Sequence, residues 1–215
     1  MMAMNRIEPE IQQTLFFGVL LVFSFFLLGW ADDLGDIKKK AESVNTIEAA
    51  FTQERHLEML DEPLYSKGLL FFETPSSLRW EYTSPVRSVL LMEDRNIRQY
   101  AQAGADMVEQ KGRHLKEIRI FLQDIAMWMQ GEFDANPDLN AELQAGRKIL
   151  LKPAKDNIIA QMIQRIELRL TDSPGVIESV RIYEDPNAYT TIRFHDTKIN
   201  QNIEKEIFQR LNLED

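Results

Sequence analysis

The 215-residue chain contains no cysteine. That excludes disulfides, thiolate metal sites, a cysteine nucleophile and the acylated cysteine of a bacterial lipoprotein. Positive charge is in short supply: 25 Lys and Arg face 34 Asp and Glu, a formal net charge of −9. A nucleic-acid backbone is therefore not an expected partner, because phosphate binding needs a Lys/Arg surface. Gly68, Gly104, Gly112 and Gly131 are isolated, so no Gly-rich phosphate loop forms, and no GxSxG elbow is present. His56, His114 and His195 lack partners at metal-ligand spacing, and there is no HExxH. No metal and no cofactor are expected, and His56 and His195 read as solvent-facing strand positions. Glu48, Glu54, Glu73 and Glu81 are spaced as composition alone would space them, so no pair is singled out for acid–base work. Nothing in the chain speaks for an enzyme.

One long apolar run is present, Leu15–Leu28, and it is shorter than the about 20 residues a membrane span needs. It fits the apolar core of an export signal. Gly29-Trp30-Ala31 then places small residues at the two positions a signal peptidase inspects, and Asp32 would begin the mature chain. The flank before it is weak, with Arg6 opposed by Glu8 and Glu10. An uncleaved anchor is the second reading and a buried core helix the third. The expected organisation is a leader over residues 1–31 and a single domain over 32–215, with no repeats or linkers.

In the mature chain, Leu34, Ile37, Ala41, Val44 and Ile47 step by three and four, which predicts an amphipathic helix over Leu34–Ala50. From Phe51 the period changes to two. A hairpin follows over Tyr65–Tyr82, then strands at Val86–Glu93, Ile97–Tyr100 and Asp106–Gln110. Leu115, Ile118, Leu122, Ile125 and Met129 restore helical spacing, and Gly131 ends that helix. Asn136–Ala145 reads as a short second helix. Strands resume at Lys148–Lys152, Gln164–Leu170, Val176–Tyr183 and Ala188–His195. The order predicts a mainly antiparallel sheet with helices on one side.

The hairpin segment Tyr65–Pro85 is the most informative part. Leu70 and Phe72 point one way and Leu69 and Phe71 the other, and Leu78, Trp80 and Tyr82 share a face of the next strand. A sheet apolar on both sides must be covered on both sides, by protein or by a ligand. The helix Leu115–Met129 likewise carries Phe121 and Trp128 beyond a narrow apolar stripe. Met107, Met127, Met129 and Met162 add surface that can repack around an acyl chain. Two explanations stay open: helix and sheet pack as plain core, or the helix lids a greasy concave sheet.

Phe51-x-Gln53, Ser66-x-Gly68-x-Leu70-x-Phe72, Pro75-x-x-Leu78-Arg79-Trp80 and Pro85, in that order, resemble the LolA family of periplasmic outer-membrane lipoprotein carriers. The later helix, Leu150-Leu151-Lys152-Pro153 and three closing strands agree, so the resemblance runs from about Val44 to His195. It implies a mainly β fold with helices (α+β): an unclosed, curved antiparallel barrel lidded by helices around a hydrophobic cavity. It implies a non-enzymatic, monomeric periplasmic protein that binds acyl chains of lipoprotein or another lipid. Such a carrier receives its load from an inner-membrane release complex or exporter and passes it to an outer-membrane acceptor. A sensor that binds lipid or lipoprotein without transporting it is the alternative. The cavity would be lined by Leu70, Phe72, Leu78, Trp80, Leu90 and Met92. The lid would carry Leu115, Ile118, Phe121, Leu122, Ile125, Trp128 and Met129. Two departures point to a divergent branch. Thr74 stands where the family's carriers have an arginine that holds the lid closed, and the chain ends at Asp215 without a long C-terminal segment.

Overall fold

The computed structural model describes residues 34–94, 96–112, 114–154, 158–173 and 175–211. The expected leader, residues 1–31, and the cleavage site before Asp32 lie outside them. Residues Asp33–Asp215 make one compact unit. It opens with helix α1 (Leu34–Ala41), followed by β1 (Thr46–His56), β2 (Leu64–Glu73), β3 (Ser77–Ser84), β4 (Ser88–Glu93), β5 (Asn96–Ala103) and β6 (Asp106–Gln110). Helix α2 (His114–Met129) intervenes, and β7 (Leu139–Gln144), β8 (Lys148–Pro153), β9 (Arg165–Leu170), β10 (Ile177–Tyr183) and β11 (Tyr189–Ile199) complete the strands. Short 3₁₀ turns lie at Ile158–Gln161 and Lys205–Phe208.

All eleven strands form one antiparallel sheet in the order β6-β5-β4-β3-β2-β1-β11-β10-β9-β8-β7. The sheet does not close: β6 and β7 are its two edges. They are also consecutive in the chain, joined through α2. Laid flat, eleven strands would span about 50 Å at the usual 4.8 Å spacing, and a helix of this length covers about 24 Å. Yet Ile97 of β5, Phe51 of β1, Phe194 of β11 and Leu139 of β7 belong to one apolar cluster with Leu122, Ile125, Trp128 and Met129 of α2. The sheet must curl for that to happen, so the fold is an open, curved barrel with α2 lying against its inner side.

Two expected helices are corrected. The first stops at Ala41, not Ala50, and the chain is already in β1 at Thr46. Val44 and Ile47 fall three residues apart beyond Ala41 and so extend the helical spacing by coincidence. Ladders to β2 and β11 claim the backbone of Thr46–His56 instead. The second, Asn136–Ala145, is strand β7, with Asn136–Asp138 forming a turn before it. Leu139 and Leu143 are four apart, which suits a helix face and equally one face of a strand.

Gly68 explains one of the sequence motifs. A Cβ there would lie 2.1 Å from the Glu81 carbonyl oxygen and 2.4 Å from the Phe51 ring. The missing side chain lets Phe51 lie flat across β2, where it reaches Trp80 at 4.6 Å between ring centroids.

Candidate functional site: the inner face and the helix that closes it

Leu70, Phe72, Leu78, Trp80, Leu90 and Met92 all lie on the inner face, and all are buried in the main cluster. Trp80 is central: besides Phe51 it meets Phe194 at 6.1 Å and Phe121 of α2 at 6.4 Å, both edge-on. Such pairings contribute about 0.5–1.5 kcal/mol each beyond area burial. Tyr82 turns its edge to Phe51 and donates its hydroxyl hydrogen to Gln53 Oε1 at 2.8 Å. Burial raises the Tyr82 phenol above its ordinary range. The two ends of the Phe51-x-Gln53 motif thus serve one aromatic group.

The predicted lid residues divide along α2. Leu122, Ile125, Trp128 and Met129 are fully buried, whereas Leu115, Ile118 and Phe121 are half-buried and Ile120 is exposed. The C-terminal half is also fastened. Met127 accepts from the Glu132 N–H at 2.9 Å and Trp128 from the Gly131 N–H at 3.0 Å, a Schellman stop. Gly131 has φ +77°, and a Cβ there would sit 2.7 Å from that of Ala41 in α1. Gln130 Nε2 donates to the Pro75 carbonyl at 3.0 Å, tying the helix end to the β2–β3 turn. Asn136 donates to both carboxylate oxygens of buried Asp124, at 2.9 and 3.2 Å. Burial is the main reason the Asp124 carboxyl is raised to about 6.

Thr74 makes no such tether. Its backbone N–H donates to the Asn45 carbonyl at 2.9 Å, and the contact between turn and helix comes from Gln130 in the opposite sense, helix to turn. Sequence reasoning missed Gln130, whose acceptor lies 55 positions away. Arg79 does not substitute either, because it faces the other side of the sheet.

Trp128 Nε1–H is buried with no acceptor among the described residues. A narrow crevice lies in the inner layer beside Ile47, Leu70, Met129 and Phe194. A wider groove of about 380 Å³ opens between α2 and the rim, where Met92, Ala126 and Met127 meet Ser76, Asp94 and Gln130. Of the other predicted adaptable methionines, Met162 is exposed and stands outside the cluster.

The second apolar face also has a cover. Leu69 and Phe71 pack with Ile203, Ile207 and Phe208 of the C-terminal segment. Beneath that segment lies Arg79, with no exposed surface. It pairs with Glu81 at 2.6 Å and donates to the carbonyls of Ile207, Arg210 and Leu211 at 3.0, 2.6 and 2.9 Å. Glu81 also takes Arg87 at 3.0 Å. Glu54 is held by His56 and Arg193, which keep its carboxyl below the usual range. These carboxylates have structural partners. No group of three or more His, Cys, Asp or Glu able to hold a metal occurs among the described residues.

An open, curled antiparallel sheet with an apolar inner face and one helix across it defines the lidded open barrels. The family model for the outer membrane lipoprotein carrier protein LolA matches residues 42–211, and the chain belongs to the LolA family. Solved structures similar to it include a DUF1329 family protein from Desulfovibrio piger, at 8% identity and TM-score 0.46, covering 82% of this chain and 95% of that one. A LolA superfamily protein from Nitrosomonas europaea aligns at 9% identity and TM-score 0.42 over 84% and 99% of the two chains. The MucA/MucB complex of Pseudomonas aeruginosa aligns at 14% identity and TM-score 0.40, over 82% of this chain and 59% of that one. Among curated proteins, none matches this chain. Among the described residues no helix is long and apolar enough to cross a membrane.

Proposed function

We propose that the protein is a periplasmic carrier that shields the acyl chains of a lipoprotein, or of another acylated ligand, between the inner face of the sheet and α2. It would work as a monomer without bond chemistry, loading at an inner-membrane release complex or exporter and unloading at an outer-membrane acceptor. The leader ahead of Asp32 would be removed on export, and Asp32–Asp215 would be the working domain. Intact mass of the exported protein tests that boundary.

The observation that carries this reading is the uneven hold on α2. Its C-terminal half is buried and fastened, while Leu115, Ile118 and Phe121 are half-buried. The crevice beside Ile47 and Met129 is narrow, so an acyl chain would enter the inner layer there by lifting α2. Large apolar side chains contribute about 1.5–3 kcal/mol each when fully buried, so freeing Leu122, Ile125, Trp128 and Met129 would cost roughly 6–12 kcal/mol. Burying an acyl chain of about 15 methylenes returns roughly 12 kcal/mol. The two are close enough for ligand to exchange with lid, and lifting the half-buried N-terminal half alone costs less. A carbonyl at the head of the ligand would also give the Trp128 N–H an acceptor, which a bare hydrocarbon would not.

Mass spectrometry of lipid extracted from protein purified out of the periplasm tests the reading. Acylated lipid at near-stoichiometric amounts, lost in Phe121→Ala, is expected. Lipid-free protein that also fails to bind a fluorescent fatty-acid probe would refute it.

A further inference from the structure

The outer face carries a feature unrelated to the lidded inner layer. Cross-strand register lines up one row of residues over six strands: Lys67 opposite Thr52, Thr52 opposite Arg193, Arg193 opposite Ser179, Ser179 opposite Arg169, and Arg169 opposite Lys148. Neighbours of each on its strand, such as Val180, Leu168 and Ile149, point into the core, which puts this row outside. It holds four cations, two hydroxyl residues and no carboxylate, on a chain whose net charge is −9. A groove of about 530 Å³ follows it from Thr52 to Lys148.

The acids nearby engage two of its four cations, Arg193 and Lys148, and leave Lys67 and Arg169. The adjacent row brings Glu54, Thr191, Arg181 and Glu167. Glu54 is taken up by Arg193 at 3.0 Å and His56 at 2.6 Å. Glu167 is taken up by Lys148 at 3.0 Å and Arg165 at 3.1 Å. Glu178, exposed in the groove wall, is the remaining acid there. Arg169 and Lys67 have no ion-pair partner among the described residues. Arg181 has no carboxylate partner among them either; it donates to the Thr191 hydroxyl at 2.9 Å and lies over the Tyr189 ring at 5.3 Å from its centroid. Tyr183 is in turn covered by Arg165 at 3.4 Å. These stacked groups flank the Arg169 guanidinium, which has no ion-pair partner among the described residues. The C-terminal turn Lys205–Phe208 packs over Leu69 and Phe71 on β2 and over Arg79 on β3.

We propose that this row docks an extended acidic segment of a partner protein. Strand spacing is about 4.8 Å, so Lys67, Arg193 and Arg169 stand roughly 10 Å apart, two strands each. A segment in the extended polyproline II conformation rises about 3.1 Å per residue with three residues per turn, so carboxylates three residues apart repeat on one face at about 9 Å. Arginine forks take carboxylates in two parallel hydrogen bonds, and Thr52 and Ser179 between the cations can donate to the backbone carbonyls of the segment. A flat lipid surface meets only the tips of the cations and gains nothing from that spacing or from the hydroxyl floor.

The test uses the mature protein and fluorescence anisotropy of a labelled peptide with glutamates at every third position and serines between. Binding that weakens steeply with salt is expected, and Lys67→Gln combined with Arg169→Gln should lower affinity at least tenfold. Both side chains are exposed, and circular dichroism checks that the variant keeps its fold. Lys205→Gln combined with Arg210→Gln, an equal loss of two exposed charges in the C-terminal segment, should leave affinity unchanged. A peptide of the same composition with its glutamates in one block should bind more weakly. Absence of peptide binding, or equal losses in the Lys205 and Arg210 double variant, would overturn the proposal. So would co-sedimentation with phosphatidylglycerol vesicles that depends on the row while the peptide stays unbound, since the partner would then be a membrane.

Discussion

Leu70 and Leu69 are neighbours on β2, and each lies under a different cover. On the inner side, Leu70, Phe72, Leu78 and Trp80 are closed in by α2 through apolar contact and few polar ties. On the outer side, Leu69 and Phe71 lie under the C-terminal segment, which a buried arginine holds by three carbonyls. The chemistry of the two covers differs in a way that matters. Apolar contact is non-directional, so an acyl chain can replace a helix face with little change in free energy. Hydrogen bonds from a buried guanidinium are directional, and breaking them strands a charge away from water. In the proposed carrier, one cover is exchangeable and the other is fixed.

The largest expected effect breaks the fixed cover. Arg79→Ala would leave Glu81 with Arg87 alone and free three carbonyls, at a cost of about 3–5 kcal/mol. Denaturant unfolding should show that loss, with increased proteolysis near Ile207 and with affinity for a fatty-acid probe retained. Trp80→Ala acts on the exchangeable side. Removing so buried a ring costs about 3–5 kcal/mol in ligand-free protein, and probe affinity should fall with it. A stability loss of that size with unchanged affinity would make the inner face plain core.

Protonation gives a smaller effect. The Asp124 carboxyl is raised to about 6 from an ordinary 3.8, so between those values the folded protein holds a proton the unfolded chain has released. Stability contributed at this site is therefore greatest at low pH, declines as pH rises through that window, and is lowest above about 6. The difference corresponds to about 3 kcal/mol at most. Subtracting the pH profile of Asp124→Asn from that of the parent isolates it, and a profile unchanged by the substitution would remove Asp124 from the account. The smallest effect comes from Gln130→Ala, which deletes one neutral tether of about 1 kcal/mol. Probe release should quicken roughly fivefold, and Thr74→Arg should slow it.

Much of this contrast is legible in the sequence. Alternation along Leu69–Phe72 announces two covered faces, and the three–four spacing from Leu115 to Met129 gives α2 almost to the residue. Arg79 and Glu81 are two apart on one strand, so their shared outer face could have been read as well. The covers' fastenings could not. Gln130 meets Pro75 across 55 positions and Arg79 meets Leu211 across 132, and no local period encodes such pairs. The two helix corrections differ in cause: Val44 and Ile47 prolong the three-residue step of α1 by coincidence, whereas Leu139 and Leu143, four apart, satisfy both periods, and only the neighbouring strand decides.

Hydrogen exchange along α2, with and without a bound acyl ligand, tests the central claim that this helix is the exchangeable cover. In ligand-free protein the amides of Leu115–Phe121 should exchange at least tenfold faster than those of Leu122–Met129, and both faster than Arg165–Leu170 in β9. Adding a fatty-acid ligand should change the α2 amides and leave β9 as it was. If Leu115–Phe121 is as protected as β9 before any ligand is added, α2 is a fixed part of the core and the lidded-carrier account fails.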